Sequence, residues 1–275
     1  MHFLVTIIIP CYNMGPLLLE TIDSVNKVAD RAIHEVLIVN DGSTDLETLR
    51  VLDSLRDEYI IIDQVNQGLS AARNTGIKAA KAECLIFLDA DNLLMPGYLQ
   101  QGLDVLNLKP GIDIVYGESN TFGDESGKLF TKQYSLHTLM TFNYIDACCL
   151  VRKSVFEEIG GFDQNMRQGF EDWEMWIRAG ISGKKFHYLE GVVCQQYRVR
   201  NNSMLRTINK RKSFEIEQYI QDKHKHIIDF TGVSDYYYSK FRQSPFGWTA
   251  KLFIRKFFPR YYSYLVKKGS FRYNL

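Results

Sequence analysis

Cys84-Leu-Ile-Phe-Leu-Asp89-Ala90-Asp91 is the stretch on which the fold turns. The run Leu85–Leu88 reads as a buried strand that ends in two acids. That puts negative charge at the carboxyl edge of a sheet, where open α/β folds bind ligands. Side chains alternate along a strand, so residues i and i+2 share a face. If strand geometry continues, Asp89 and Asp91 both face one divalent cation. Mg²⁺ and Mn²⁺ favour carboxylate oxygens and often keep phosphate as a further ligand. The same acids also suit a turn that closes the strand, and so short a motif does not separate the two readings by itself.

Working outward, apolar runs and amphipathic segments alternate. Val5-Thr-Ile-Ile-Ile-Pro10-Cys-Tyr12-Asn13 is a strand stopped by Pro10, and Leu18, Ile22 and Val25 give the next helix one apolar face. Glu35-Val-Leu-Ile-Val-Asn40-Asp41-Gly42-Ser43-Thr44-Asp45 is a second strand ending in acid and turn residues. Thr44 or Asp45 can cap the helix that follows. A third strand is expected over Tyr59–Asp63, an Ala-rich helix over Ser70–Lys81, and a helix toward Asn107 with Pro96 at its first position. Ile112–Tyr116 completes a βαβα series, which implies a mostly parallel central sheet with helices on both faces.

The second half is less regular. Gly123–Gly127 reads as a turn between strands, Ala147–Arg152 and Phe186–Leu189 as strands, and Ser154–Ile159 and Asp172–Ala179 as helices. From about Asn201 the pattern is helical, polar first and then aromatic and basic.

Length and composition suit a soluble globular chain: 275 residues, 45% hydrophobic and 24% charged, with a net charge of +1. The charge is unevenly spread. Residues 1–235 hold 24 basic and 32 acidic residues, whereas 236–275 hold nine basic residues, fourteen aromatics and no acid. Cys11, Cys84, Cys148, Cys149 and Cys194 are odd in number and lie mostly in apolar runs, so they read as buried packing residues in a reducing compartment. No apolar run approaches the roughly twenty residues that span a bilayer, and no leader is expected at the N-terminus. The expected location is the cytoplasm, peripheral at the inner face of the cell membrane.

Several residues admit two readings on chemistry alone. Tyr12 can stack on a nucleobase or pack against protein. Asp41 can accept a hydrogen bond from a base, while Asp45 suits capping. Arg73 suits either a solvated helix surface or planar multi-donor recognition. Glu171 and Asp172 open a helix, where acids complement its dipole.

Five segments, in this order, carry a resemblance: the Val5–Asn13 strand, Asn40-Asp41-Gly42, Asn66-Gln-Gly-Leu-Ser-Ala-Ala-Arg73-Asn74-Thr-Gly76, Asp89-Ala90-Asp91, and Gly160-Gly-Phe-Asp163 followed by Phe170-Glu171-Asp172-Trp173. Over about Val5 to Met204 the chain resembles the family 2 inverting glycosyltransferases with the GT-A fold. The resemblance implies one GT-A domain over 1–205, with 1–110 the nucleotide-binding half and 111–205 the acceptor side, followed by a helical C-terminal extension over 206–275. It implies donor contacts from Pro10, Tyr12, Asp41, Arg73, Asp89, Ala90 and Arg198, a metal (Mn²⁺ or Mg²⁺) at Asp91 and Asp89, and Asp172 as general base, with Glu171 in a structural role. Many relatives carry two acids where this chain has Asn40-Asp41. Processive relatives carry Gln-x-x-Arg-Trp where this chain has Gln195-Gln-Tyr-Arg198-Val199, which favours transfer of one sugar per encounter.

The implied reaction moves a sugar from a nucleotide-diphosphate donor, UDP-linked, to a glycan or lipid-linked glycan acceptor, with inversion. The rivals are a sugar-phosphate nucleotidyltransferase and a non-catalytic nucleotide-sugar-binding module. Against the first stands the lack of a glycine-rich basic loop near the N-terminus; against the second, every expected acidic position is filled. Nucleic acid is not an expected partner, because the basic bias is confined to the tail. In that tail Trp248–Phe258 can form a helix stopped by Pro259, with Phe253, Ile254 and Phe257 on one side and Lys251 and Arg255 on another. Such a helix fits an anionic membrane surface or packs on protein.

Overall fold

The computed structural model of the chain describes residues 4–30, 33–201, 210–224, 242–258 and 261. Strands β1 (Val5–Cys11), β2 (His34–Asp41), β3 (Ile60–Gln64) and β4 (Cys84–Phe87) pair in parallel in the order β3-β2-β1-β4. Every residue of β1, β2 and β4 is buried, which is why these runs are apolar without alternation. Ile8, Val39 and Phe87 face one apolar layer, and Ile7, Ile9, Ile38 and Ile86 face the other.

Helix α1 (Gly15–Val28) buries Leu18, Ile22 and Val25 as its spacing predicts. Asp45 caps α2 (Leu46–Leu55), accepting the Thr48 N–H at 2.9 Å. Helix α3 (Leu69–Ala79) packs on β1 so closely that a Cβ on Gly76 would lie 2.3 Å from Ile8 Cγ2. After β5 (Leu93–Leu94), α4 runs Tyr98–Leu108 and begins later than Pro96 suggests. Gly97 has φ +81°, outside the helical region, so Pro96 belongs to the preceding turn.

The second half adds β6 (Ile114–Gly123), β7 (Gly127–Lys128), the short α5 (Leu136–Leu139), β8 (Leu150–Arg152), α6 (Lys153–Ile159), α7 (Glu171–Ile181) and β9 (Phe186–Val199). The sheet of nine strands continues from β4 as β8-β6-β9-β5, with β7 on β6. The Gly123–Gly127 turn joins β6 to β7 as read. Strand β9 runs ten residues past the expected end at Leu189, with an irregular register against β6. Gly191 (φ +77°) and the polar run Gln195, Gln196, Arg198 disguise that continuation as a loop.

Direction decides which ends gather. Strand β8 is antiparallel to β4 and β6, while β6 and β9 are parallel. The residues before β8 therefore lie beside those after β4, and β9 ends at the same edge.

Helix α8 (Lys210–His224) docks on α7. Its Ile220 is buried, and Lys223 and His224 reach the fully buried Glu174. A further helix covers Pro245–Phe257. The rest of the expected extension, 206–209, 225–241, 259–260 and 262–275, lies outside the described residues, as does the expected stop at Pro259.

Candidate active site

The carboxyl ends of β1 and β2 form a rim tied together by its own side chains. Asn13 Oδ1 accepts the N–H groups of Thr44 and Asp45 at 2.9 and 3.0 Å. Asn40 bonds Asp63 and the Ser43 N–H. Asp41 is buried. Its Oδ1 accepts from Gln64 Nε2 and the Gln67 N–H, and its Oδ2 from the Gly68 N–H at 2.8 Å. These bonds also shape the turn that leads into α3. Pro10 lies inside β1, paired with Val39, and Tyr12 beyond it is 45% exposed.

Arg73, on α3, is the centre of the site. It is 1% exposed and joins Asp89 (2.8 Å) to Glu171, with Phe162 5.2 Å below the guanidinium. Burial opposes its charge, but Asp89, Glu171 and Asp172 outweigh that and hold its pKa above the usual arginine range. Next to it, Asn74 exchanges two 2.8 Å hydrogen bonds with the Phe162 backbone. A Cβ on Gly161 would lie 2.1 Å from Asn74 Oδ1, so the Gly-Gly-Phe motif needs that glycine there.

Asp89 and Asp91 do not share a strand face. Strand β4 ends at Phe87, and the Asn92 N–H closes a turn on the Asp89 carbonyl at 3.0 Å. The alternation expected from strand geometry is therefore lost, because the chain reverses before the second acid. Asp89 meets Arg73, whereas Asp91 meets Arg200 at 2.7 Å. Burial, then Asp89, pushes the Asp91 acid up; Arg200 and Arg198 pull it down. Ala90 is buried between them. Arg198 stacks on Phe122, bonds the Asp91 carbonyl at 3.0 Å and pairs with Glu20. Arg200, rather than Arg198, reaches the Asp91 carboxylate.

Just before Glu171, Phe170 adopts φ +61°, a conformation worth about 1–3 kcal/mol of strain. It turns the chain sharply into α7, so that Glu171 enters the core toward Arg73 and Asp172 faces the site. Asp172 Oδ1 accepts from Asn143 Nδ2 (3.1 Å) and the Trp173 N–H (2.7 Å). Its Oδ2 has no hydrogen-bond partner among the described residues. Burial, then Glu171 and Asp146, drive its pKa well above the carboxylate range.

Sequence reasoning missed Asp146, Tyr197 and Arg200. Asp146, just before β8, is pushed up to about 6 by burial and then by Asp89. The Tyr197 phenol is raised by burial and then by Asp146, Asp89, Asp91 and Asp172, so four carboxylates converge around it. An acid before an apolar run was the available sign for Asp146. It becomes meaningful only once β8 is known to be antiparallel.

Among the described residues no group of three or more His, Cys, Asp or Glu side chains is placed to hold a metal ion. Asp91, largely buried, and Asp89, a third exposed, nonetheless supply hard oxygen donors, each paired with an arginine. That fits a cation whose remaining ligands come from phosphate and water. The five cysteines are buried and unpaired, as read.

The model of Glycosyl transferase family 2 matches residues 6–160. Over 185 residues the chain is 26% identical to the uncharacterized glycosyltransferase YwdF of Bacillus subtilis, covering 64% of this chain and 67% of that one. It is 31% identical over 187 residues to an uncharacterized glycosyltransferase of Rickettsia typhi, covering 64% of this chain and 58% of the other. Among solved structures, S. aureus TarS 1-349 in complex with UDP-GlcNAc superposes with a TM-score of 0.65 at 18% identity, over 78% of this chain and 64% of that chain. That likeness establishes the GT-A-type fold.

Proposed function

Because the chain belongs to glycosyl transferase family 2, we propose that it transfers one sugar from a UDP-linked donor to a hydroxyl of a glycan or lipid-linked glycan, with inversion. The observation that carries this reading is the buried bridge Asp89–Arg73–Glu171, which couples the acids after β4 to the acid that opens α7. The UDP-GlcNAc named for the TarS complex supports a nucleotide-sugar donor.

Asp172 is the general base. Asn143 and the Trp173 N–H fix one oxygen, leaving Oδ2 to take the proton of the acceptor hydroxyl. Its raised pKa suits a base that must hold that proton while the acceptor oxygen attacks the anomeric carbon. One displacement forms the new C–O bond as the bond to the diphosphate breaks, so configuration inverts. Arg73 keeps Asp89 and Glu171 in position. Asp91 and Asp89 would hold Mn²⁺ or Mg²⁺, which when bound neutralises charge on the departing diphosphate. Pro10, Tyr12 and Asp41 line the rim proposed for the nucleoside, and Arg200 and Arg198 the rim proposed for the diphosphate.

The test is a panel of nucleotide sugars with the purified chain, reading released nucleoside diphosphate and the anomeric configuration of the product. Release of pyrophosphate, or a retained configuration, would reject the reading. Loss of turnover in chelator, restored by Mn²⁺ or Mg²⁺, is expected; full turnover in chelator would remove the metal.

We propose a membrane-surface role for the C-terminal part. No helix among the described residues is long and apolar enough to cross a membrane. The helix Pro245–Phe257 and the residues after it expose Phe246, Phe253, Phe258 and Tyr261 within a segment that carries no acid. Aromatic and basic residues together suit an anionic interface. Sedimentation with phosphatidylserine vesicles should fall sharply when the chain is ended near Asp235; equal binding with and without the tail would reject this role.

A further inference from the structure

Asp146 is the acid of the site that the transfer chemistry leaves without a task. It is not a structural leftover, because the fold spends a buried hydrogen-bond network on aiming it. Its Oδ1 accepts from the Cys148 N–H at 2.8 Å and from Gln195 Nε2 at 2.7 Å. Gln195 is fully buried and is itself fixed by Asn92 Nδ2 at 3.2 Å and by Ser119 Oγ at 3.3 Å. Asn92 in turn accepts the Arg198 N–H at 2.8 Å. The turn that carries Asp89 and Asp91 is thereby linked, residue by residue, to Asp146.

The other oxygen of Asp146 is left open. Oδ2 makes no hydrogen bond among the described residues and is not among the buried atoms sealed from solvent. Asp146 lies within electrostatic reach of Asp89, Arg73 and Asp172. Asp172 is the base, and the acids after β4 belong to the diphosphate. The group in transit between them is the sugar, whose ring offers hydroxyl donors. An anchored carboxylate oxygen is a matching acceptor, and charge-assisted hydrogen bonds are among the stronger ones.

We infer that Asp146 binds a ring hydroxyl of the donor sugar through Oδ2 and so helps set which sugar is transferred. The inference rests on the proposed nucleotide-sugar activity. A site built to accept a hydroxyl rejects a sugar that lacks it there, because the polar group is then left unpaired.

The substitution Asp146→Asn isolates the role. An amide keeps an oxygen for Cys148 and Gln195, but puts an N–H₂ donor where Oδ2 accepts. Calorimetric titration of the full chain with UDP, UDP-glucose, UDP-galactose and UDP-N-acetylglucosamine should find at least one sugar nucleotide that binds the native protein more tightly than UDP. In D146N that compound should weaken by about 10–100-fold, the equivalent of one charge-assisted hydrogen bond, with UDP affinity within about twofold of native. Equal loss for UDP and the sugar nucleotide, or no loss for either, would overturn the inference. If the native chain bound none of the four compounds, the UDP-sugar activity itself would fail, and this assignment with it.

Discussion

The rim built from β1 and β2 and the wall built from β8, β9 and α7 meet at the same edge of the sheet, yet their acids are used in opposite ways. On the rim, Asp41 accepts three hydrogen bonds from its own chain and Asp45 is spent on capping α2. On the wall, Asp146 and Asp172 each have one oxygen anchored and one without a hydrogen bond among the described residues. A satisfied carboxylate shapes backbone. A half-satisfied one, desolvated and beside other acids, is a group under tension that a substrate can relieve. Glu171 and Asp172, neighbours in the chain, repeat the contrast: the first is ion-paired with Arg73, while the second makes no ion pair among the described residues.

The contrast breaks most severely at Asp172. Asp172→Asn should lower turnover by about 10²–10⁴-fold, the usual contribution of general-base assistance, with donor affinity unchanged. Loss of donor binding with turnover preserved would move Asp172 from the chemistry to the donor site.

Arg73→Met tests what holds rim and wall together. It leaves Glu171 buried without its cation, and breaking a buried pair in this way costs about 3–5 kcal/mol. Urea unfolding measures it. A cost below about 1 kcal/mol would mean that Glu171 finds another partner.

The third effect is a pH dependence. Burial, then Asp89, raises the Asp146 acid from its ordinary 3.8 to about 6 in the fold. The native state therefore holds more protons between those values, and stability falls as pH rises through that window. Asp146→Asn does not titrate, so its stability relative to the native chain should rise from pH 4 to above 6, by up to about 3 kcal/mol. A constant difference across that range would show that Asp146 is not strained.

The smallest effect belongs to the rim. Asp45→Ala should cost about 1 kcal/mol of stability, as expected for a lost helix cap, with turnover and donor affinity untouched. A large loss of donor affinity would mean that Asp45 reaches the donor as well as capping α2.

The sequence by itself determined the βαβα order, the parallel strands of the first half, the cap at Asp45 and the acids after β4. Each is a local property: apolar runs, helical spacing and turn chemistry lie within a dozen residues of one another. Glu171 and Asp172 were legible as a pair, and the resemblance assigned their different tasks. The tertiary structure decided what each group touches. The Asp89–Asn92 turn broke the shared face expected of the two acids, because strand alternation ends where the chain reverses. Arg73 became a buried bridge only because Gly76 lets α3 close on β1. Asp146, Tyr197 and Arg200 joined the site through the antiparallel β8 and the long β9. Strand direction and register are set by packing between segments some sixty to a hundred residues apart, so no local pattern carries them.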